Sequence, residues 1–90
     1  MSAEITHVRF HQVRQHEAIV ACKFRVDTGY VGDCDTESMI AWLEAGNEAV
    51  CAAGHDLMTI GVVRGPNLRT HLRAYTGQQW TDALVQLPTF

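Results

Sequence analysis

His7 and His11 stand four residues apart, the spacing at which two imidazoles on one helix share a metal ion. Apolar and polar residues alternate through 4–13, however, which is the period of a strand. On a strand that spacing holds the rings about 13 Å apart, and Arg9 stands between them. No metal site is expected. His55-Asp56 sets an imidazole beside a carboxylate, half of an acid–base arrangement, yet no glycine-bracketed serine or other nucleophile accompanies it. Cys22, Cys34 and Cys51 are odd in number and lack C-x-x-C spacing, which argues against a disulfide framework and a thiolate zinc site. Cys22 and Cys51 sit in apolar runs as small core residues, while Cys34 lies between Asp33 and Asp35, whose charge disfavours a thiolate. Phosphate-loop, dinucleotide and metalloprotease motifs are missing, so neither a cofactor nor a catalytic residue is expected.

The chemistry that remains is cationic. Arg9, Lys23 and Arg25 fall on one side of the first two strand candidates, and Arg69, Thr70 and Arg73 follow in the last third. A guanidinium beside a hydroxyl suits a carboxylate or phosphate, and these six residues are the candidate ligand set. The competing role for Arg69 is an internal tie to Glu44 or Glu48. Charge distribution motivates that role: residues 1–25 carry +2, 26–56 carry −7 and 57–90 carry +2, within a net charge of −3. The net acidic charge weighs against nucleic acid as the partner.

Ninety residues, 47% of them apolar, form a single domain over 1–90 with a packed core. Apolar runs fall far short of the ~20 residues that span a bilayer, and the first residues lack a secretory pattern, so a cytoplasmic, non-membrane protein is expected. Residues 4–13 and 17–26 pair as a hairpin if residue numbers sum to 30, with Thr6 opposite Phe24, Val8 opposite Cys22 and Phe10 opposite Val20. That register leaves Arg14-Gln15-His16 as the loop and turns Ile5, His7, Arg9 and His11 outward, against Arg25, Lys23, Ala21 and Ile19. Asp27-Thr28-Gly29 reads as a turn, and Tyr30 to Asp33 as an extended link. Asp35-Thr36-Glu37 then opens a helix from about Thr36 to Ala45, with Met39, Ile40, Trp42 and Leu43 on its apolar face and Gly46 as its stop. Residues 49–53 and 57–64 form a second hairpin about Gly54-His55-Asp56, and residues 68–74 extend along a sheet edge. The capping-box spacing of Thr76 and Gln79 predicts a short C-terminal helix carrying Trp80, Ala83, Leu84 and Leu87 before Pro88. Val8, Phe10, Val20, Cys22, Phe24, Ile40 and Leu43 are the expected core.

Leu68-Arg69-Thr70, Asp82-Ala83-Leu84, Leu87-Pro88 and Phe90, together with the opening Ile5-Thr6-His7-Val8-Arg9 and the helix end Glu44-Ala45-Gly46, carry a likeness. The chain resembles the family called domain of unknown function 3892 over nearly its whole length. Where that family has Asp-Asn-Leu, this chain has Asp82-Ala83-Leu84 and lacks the amide. The resemblance implies a small bacterial or phage protein and brings no established activity with it.

The expected fold is α+β: an antiparallel sheet of four to five strands in two hairpins, packed against one main helix, with a short C-terminal helix or extended segment. The expected function is a non-enzymatic binding or accessory interaction module, working as a homo-oligomer or with a protein partner through an exposed sheet face or edge strand. The alternative is binding of nucleic acid or a phosphate ligand through the arginine-rich face, and an enzyme ranks third. Convergence of the basic residues on one concave surface would favour the alternative.

Overall fold

Alternating apolar residues at both ends of the first hairpin, and β-branched runs after residue 56, set the strands of this α+β chain. The computed structural model describes residues 2–65 and 68–90, with side chains at all of these except 65, 68 and 69. Along the chain come β1 (Ser2–Phe10), β2 (Ile19–Val26), β3 (Val31–Asp35), α1 (Thr36–Glu44), β4 (Glu48–Ala53), β5 (Asp56–Gly65), β6 (Leu68–Thr76) and β7 (Gln79–Trp80). Among the described residues these strands form one seven-stranded sheet in the order β3-β2-β1-β4-β5-β6-β7. Asp35 caps α1 as its sequence position implies, its Oδ1 accepting the Ser38 amide at 2.7 Å. Gly46, at φ +101°, turns the chain out of the helix.

The sheet is larger than expected and mixed rather than antiparallel. β2, β3 and α1 together form the crossover that returns the chain alongside β1 in the same direction, so β1 and β4 pair in parallel, Ala3 beside Ala49. The Tyr30 to Asp33 link is largely the edge strand β3, and residues 68–74 belong to an interior strand between β5 and β7. The expected C-terminal helix is absent as such. Thr76 pairs with Gln79 and Tyr75 with Trp80 in a tight hairpin, and Gly77 supplies the left-handed φ of +59° that its turn requires. Only a 3-10 turn, Ala83–Gln86, follows, and it buries Ala83 and Leu84.

The first hairpin keeps the sum-of-30 register only in its middle, where Val8 faces Cys22 and Arg9 faces Ala21. Toward its ends the pairing slips by one at two bulges, leaving Thr6 as the extra residue on β1 and Val20 as the extra residue on β2. Each bulge reverses the inward–outward alternation. Ile5 and Ile19, expected outside, are therefore buried at 0% and 4% exposure, and Val20 leaves the expected core. The connecting loop spans 11–18, longer than Arg14 to His16, and is closed by His11 N–H donating to the Ala18 carbonyl at 2.8 Å.

Val8, Cys22 and Ile40 are core residues as expected, while Phe10, Phe24 and Leu43 are half-buried against it. Ile5, Met39, Cys51, Ile60, Leu72 and Leu84 complete the centre. Helix α1 touches β2 and β3 on one side of the β1–β4 seam and β5 and β6 on the other, so the sheet curls around it. The final segment fills the edge of β1 beyond β4, with the Val8 amide donating to the Pro88 carbonyl at 3.0 Å. Ile5→Ala is expected to cost about 2 to 5 kcal/mol in urea titration. A loss below about 1 kcal/mol would restore the regular ladder with Ile5 outward.

Candidate binding surface

The structure separates the basic residues that the sequence groups together. Arg9 and Lys23 meet only at Phe90: the Arg9 guanidinium lies 4.3 Å from the ring centroid and its Nε donates to the Phe90 carbonyl at 3.0 Å, while Lys23 Nζ is 5.8 Å from the ring. Arg25 pairs with Glu4 across the strand pair at 3.4 Å. Arg73 donates to the Thr81 carbonyl at 3.1 Å and pairs with Asp82 at 3.0 Å. Thr70 lines a separate depression together with Glu17, Thr36 and Arg64. The side chain of Arg69 lies outside the described residues; Glu44, one of its two expected partners, pairs with Arg64. Arg14, a loop residue of the expected hairpin, donates to the Val85 and Leu87 carbonyls and lies over Phe10. All five arginines with described side chains are thus engaged within the molecule.

The fold also joins distant histidines. His71, 4% exposed, lies with its ring centroid 6.3 Å from that of His16 and its Nε2 3.9 Å from Glu17. Burial, then the nearby Arg73 charge, holds the His16 imidazole below its ordinary range, favouring the neutral ring. His7 and His11 take no part. Among the described residues no three metal-binding side chains gather at one point.

Where α1 meets the β2–β3 edge, a cleft of ≈ 470 Å³ opens, and the sequence reading missed it. Met39 and Trp42 of α1 form one wall; Phe24, Val26 and Cys34 of the strands, with Tyr30, form the other. Tyr30 is 65% exposed yet shaped into the site, because Gly32 leaves room for it. A Cβ at position 32 would stand 2.9 Å from Tyr30 Cε1 and 3.3 Å from Phe24 Cζ. The available signal was the alternation of Tyr30, Gly32 and Cys34 with Val31, Asp33 and Asp35, which reads as a strand with one apolar and one polar face.

Cys34 lies across the strands from Cys22, with the sulfurs 4.0 Å apart. Burial above all pushes both thiols up, and Asp33 and Asp35 add to the effect. Burial likewise raises Cys51 to about 11. None of the three is poised as a nucleophile at neutral pH. Iodoacetamide at pH 7 should modify Cys34 more slowly than a free cysteine peptide, and Cys22 and Cys51 only after unfolding; mass spectrometry over time checks the order.

No family model, curated protein or solved structure matches the chain. Among the described residues, no helix is long and apolar enough to cross a membrane.

Proposed function

We propose that this chain is a non-enzymatic interaction module that receives a protein partner on the side where α1 meets β3. The observation that carries the reading is an open apolar cleft directly beside a sheet edge that is unpaired among the described residues. Its aromatic and apolar lining, rather than its size, sets this concavity apart from the more polar depressions elsewhere and favours a binding role. An adjacent edge supplies backbone groups in search of partners. The exposed aromatic Tyr30 at its rim fits the residue types that dominate binding energy in protein interfaces. The reading requires no acid–base pair or activated nucleophile.

Binding of nucleic acid or a phosphate ligand through Arg9, Lys23, Arg25, Thr70, Arg69 and Arg73 has less support. Of the described members of that set only Arg9 and Lys23 share a neighbour, the Phe90 ring, and the guanidinium groups already have carbonyl or carboxylate partners. The likeness to domain of unknown function 3892 rests on the residues quoted for it and is compatible with either reading.

Two exposed substitutions on different surfaces separate these readings. With the protein immobilised and exposed to lysate of its native cells, Tyr30→Glu should reduce capture of the specific partner at least about tenfold, as loss of an interface anchor does. Arg9→Glu should leave capture unchanged. Circular dichroism melts should confirm that Tyr30→Glu remains folded, since the side chain is largely exposed. Loss with Arg9→Glu alone, or no specific capture at all, would reject the proposed surface.

A further inference from the structure

The backbone of β3 defines what the cleft can receive. The Val26 amide donates to the Tyr30 carbonyl at 2.9 Å, and the β2–β3 register continues unbroken from Arg25 opposite Val31 to Ala21 opposite Asp35. In an antiparallel ladder, hydrogen-bonded and non-bonded pairs alternate. Gly32 and Cys34 therefore turn their N–H and C=O groups toward β2, while Val31 and Asp33 turn theirs away from it. Among the described residues β3 pairs with β2 alone, so these outward groups lie on the free edge of the sheet.

The two faces of that edge differ in chemistry. Tyr30 and Cys34 line the apolar cleft beneath α1. Val31, Asp33 and Asp35 occupy the opposite face and are exposed. A strand laid beside β3 would continue this alternation, placing every second side chain toward the cleft and the others toward the two aspartates. Charge narrows the choice further. Asp27, Asp33, Asp35 and Glu37 are exposed along one short stretch that contains no lysine or arginine. Lys23 lies opposite Asp33 in the ladder, but its ammonium is held near Phe90. A second copy of β3 would bring carboxylates against carboxylates, a destabilising cross-strand arrangement.

We propose that the partner is an extended segment of alternating basic and apolar residues that adds as a strand to β3, its apolar side chains entering the cleft and its basic side chains facing Asp33 and Asp35. The proposal rests on the interaction-module reading and names the occupant of its surface. Backbone bonds to Val31 and Asp33 supply the attachment, the cleft selects aromatic or aliphatic side chains, and the carboxylates select lysine or arginine.

The test uses the full chain, labelled with ¹⁵N, and the peptide acetyl-Lys-Val-Lys-Phe-Lys-Val-Lys-amide. Saturable binding should shift the Trp42 indole and slow hydrogen exchange of the Val31 and Asp33 amides at least about tenfold, as formation of new backbone bonds protects them. A Glu-for-Lys version of the peptide should bind at least about tenfold more weakly, and N-methylation on its bonding edge should abolish binding. Asp33→Lys should reverse the preference between the two peptides. No saturation up to about 1 mM, where binding free energy falls to about −4 kcal/mol, would overturn the proposal. Equal binding of the Glu peptide, indifference to N-methylation, or concentration-dependent protection of β3 without peptide would also overturn it, the last by showing a second copy there. If the peptide fails while Tyr30→Glu still removes partner capture, strand addition is wrong and the interaction surface stands. If capture also survives Tyr30→Glu, both fall.

Discussion

The two bulges in the first hairpin are the constraint on which the rest of the molecule depends. β1 is an interior strand, paired with β2 on one side and with β4 and then the final segment on the other. A regular β1 carrying Val8 inward would point Ile5 to solvent, because side chains alternate strictly along a strand. The extra residue at Thr6 restores Ile5 to the core, and the extra residue at Val20 does the same for Ile19. Thr6 Oγ1 donates to the Lys23 carbonyl at 3.3 Å beside its bulge. The added twist that accompanies bulges also suits a sheet that must curl around one helix.

That helix is short for its task. Nine residues span about 14 Å, whereas a flat seven-stranded sheet would extend about 29 Å across its strands. Curling brings both flanks toward α1, and Leu84 from the 3-10 turn covers a further part of the core. Coverage runs out over the β2–β3 side. The cleft is what remains when Met39 and Trp42 reach toward Phe24 and Val26 without enclosing them, and Gly32 lets Tyr30 lean in from the rim. The apolar cleft and free edge consequently occur together because β3 lies at the limit of what α1 can cover.

Arginines secure the part of the chain with the least secondary structure of its own. Arg73 holds Thr81 and Asp82, Arg14 holds Val85 and Leu87, and Arg9 holds Phe90. Most of these contacts are exposed, where each pair adds roughly 0 to 1 kcal/mol, so buried Leu84 and the Val8–Pro88 bond carry much of the attachment. The guanidinium groups act chiefly as donors to backbone carbonyls. A chain with seven acids in its middle thereby uses Arg9, Arg14 and Arg73 on its last segment, Arg25 on Glu4 and Arg64 on Glu44, and Asp33 and Asp35 of β3 are left exposed.

Local sequence by itself determined the α+β class, the Asp35-capped helix with its Gly46 exit, the Asp27 to Gly29 turn, the hairpin around Gly54 and the pairing of Val8 with Cys22. Each depends on neighbours within a few residues or on one alternating pattern. It also determined the acidic character of the middle segment, whereas the Cys34 thiol is raised chiefly by burial and only secondarily by Asp33 and Asp35. Tertiary structure alone decided the parallel β1–β4 seam, since nothing local records which edge of β1 the returning strand will join. It also decided the two bulges, because Ile5 and Ile19 turn inward only when α1 and the curled sheet create a core to receive them. The Thr76 to Gln79 spacing satisfied a helix cap equally well, until pairing of Tyr75 with Trp80 favoured the hairpin. The dispersal of the arginines and the opening of the cleft arise from the same cause: long side chains choose among partners, and surfaces remain bare, only after all the elements have taken their places.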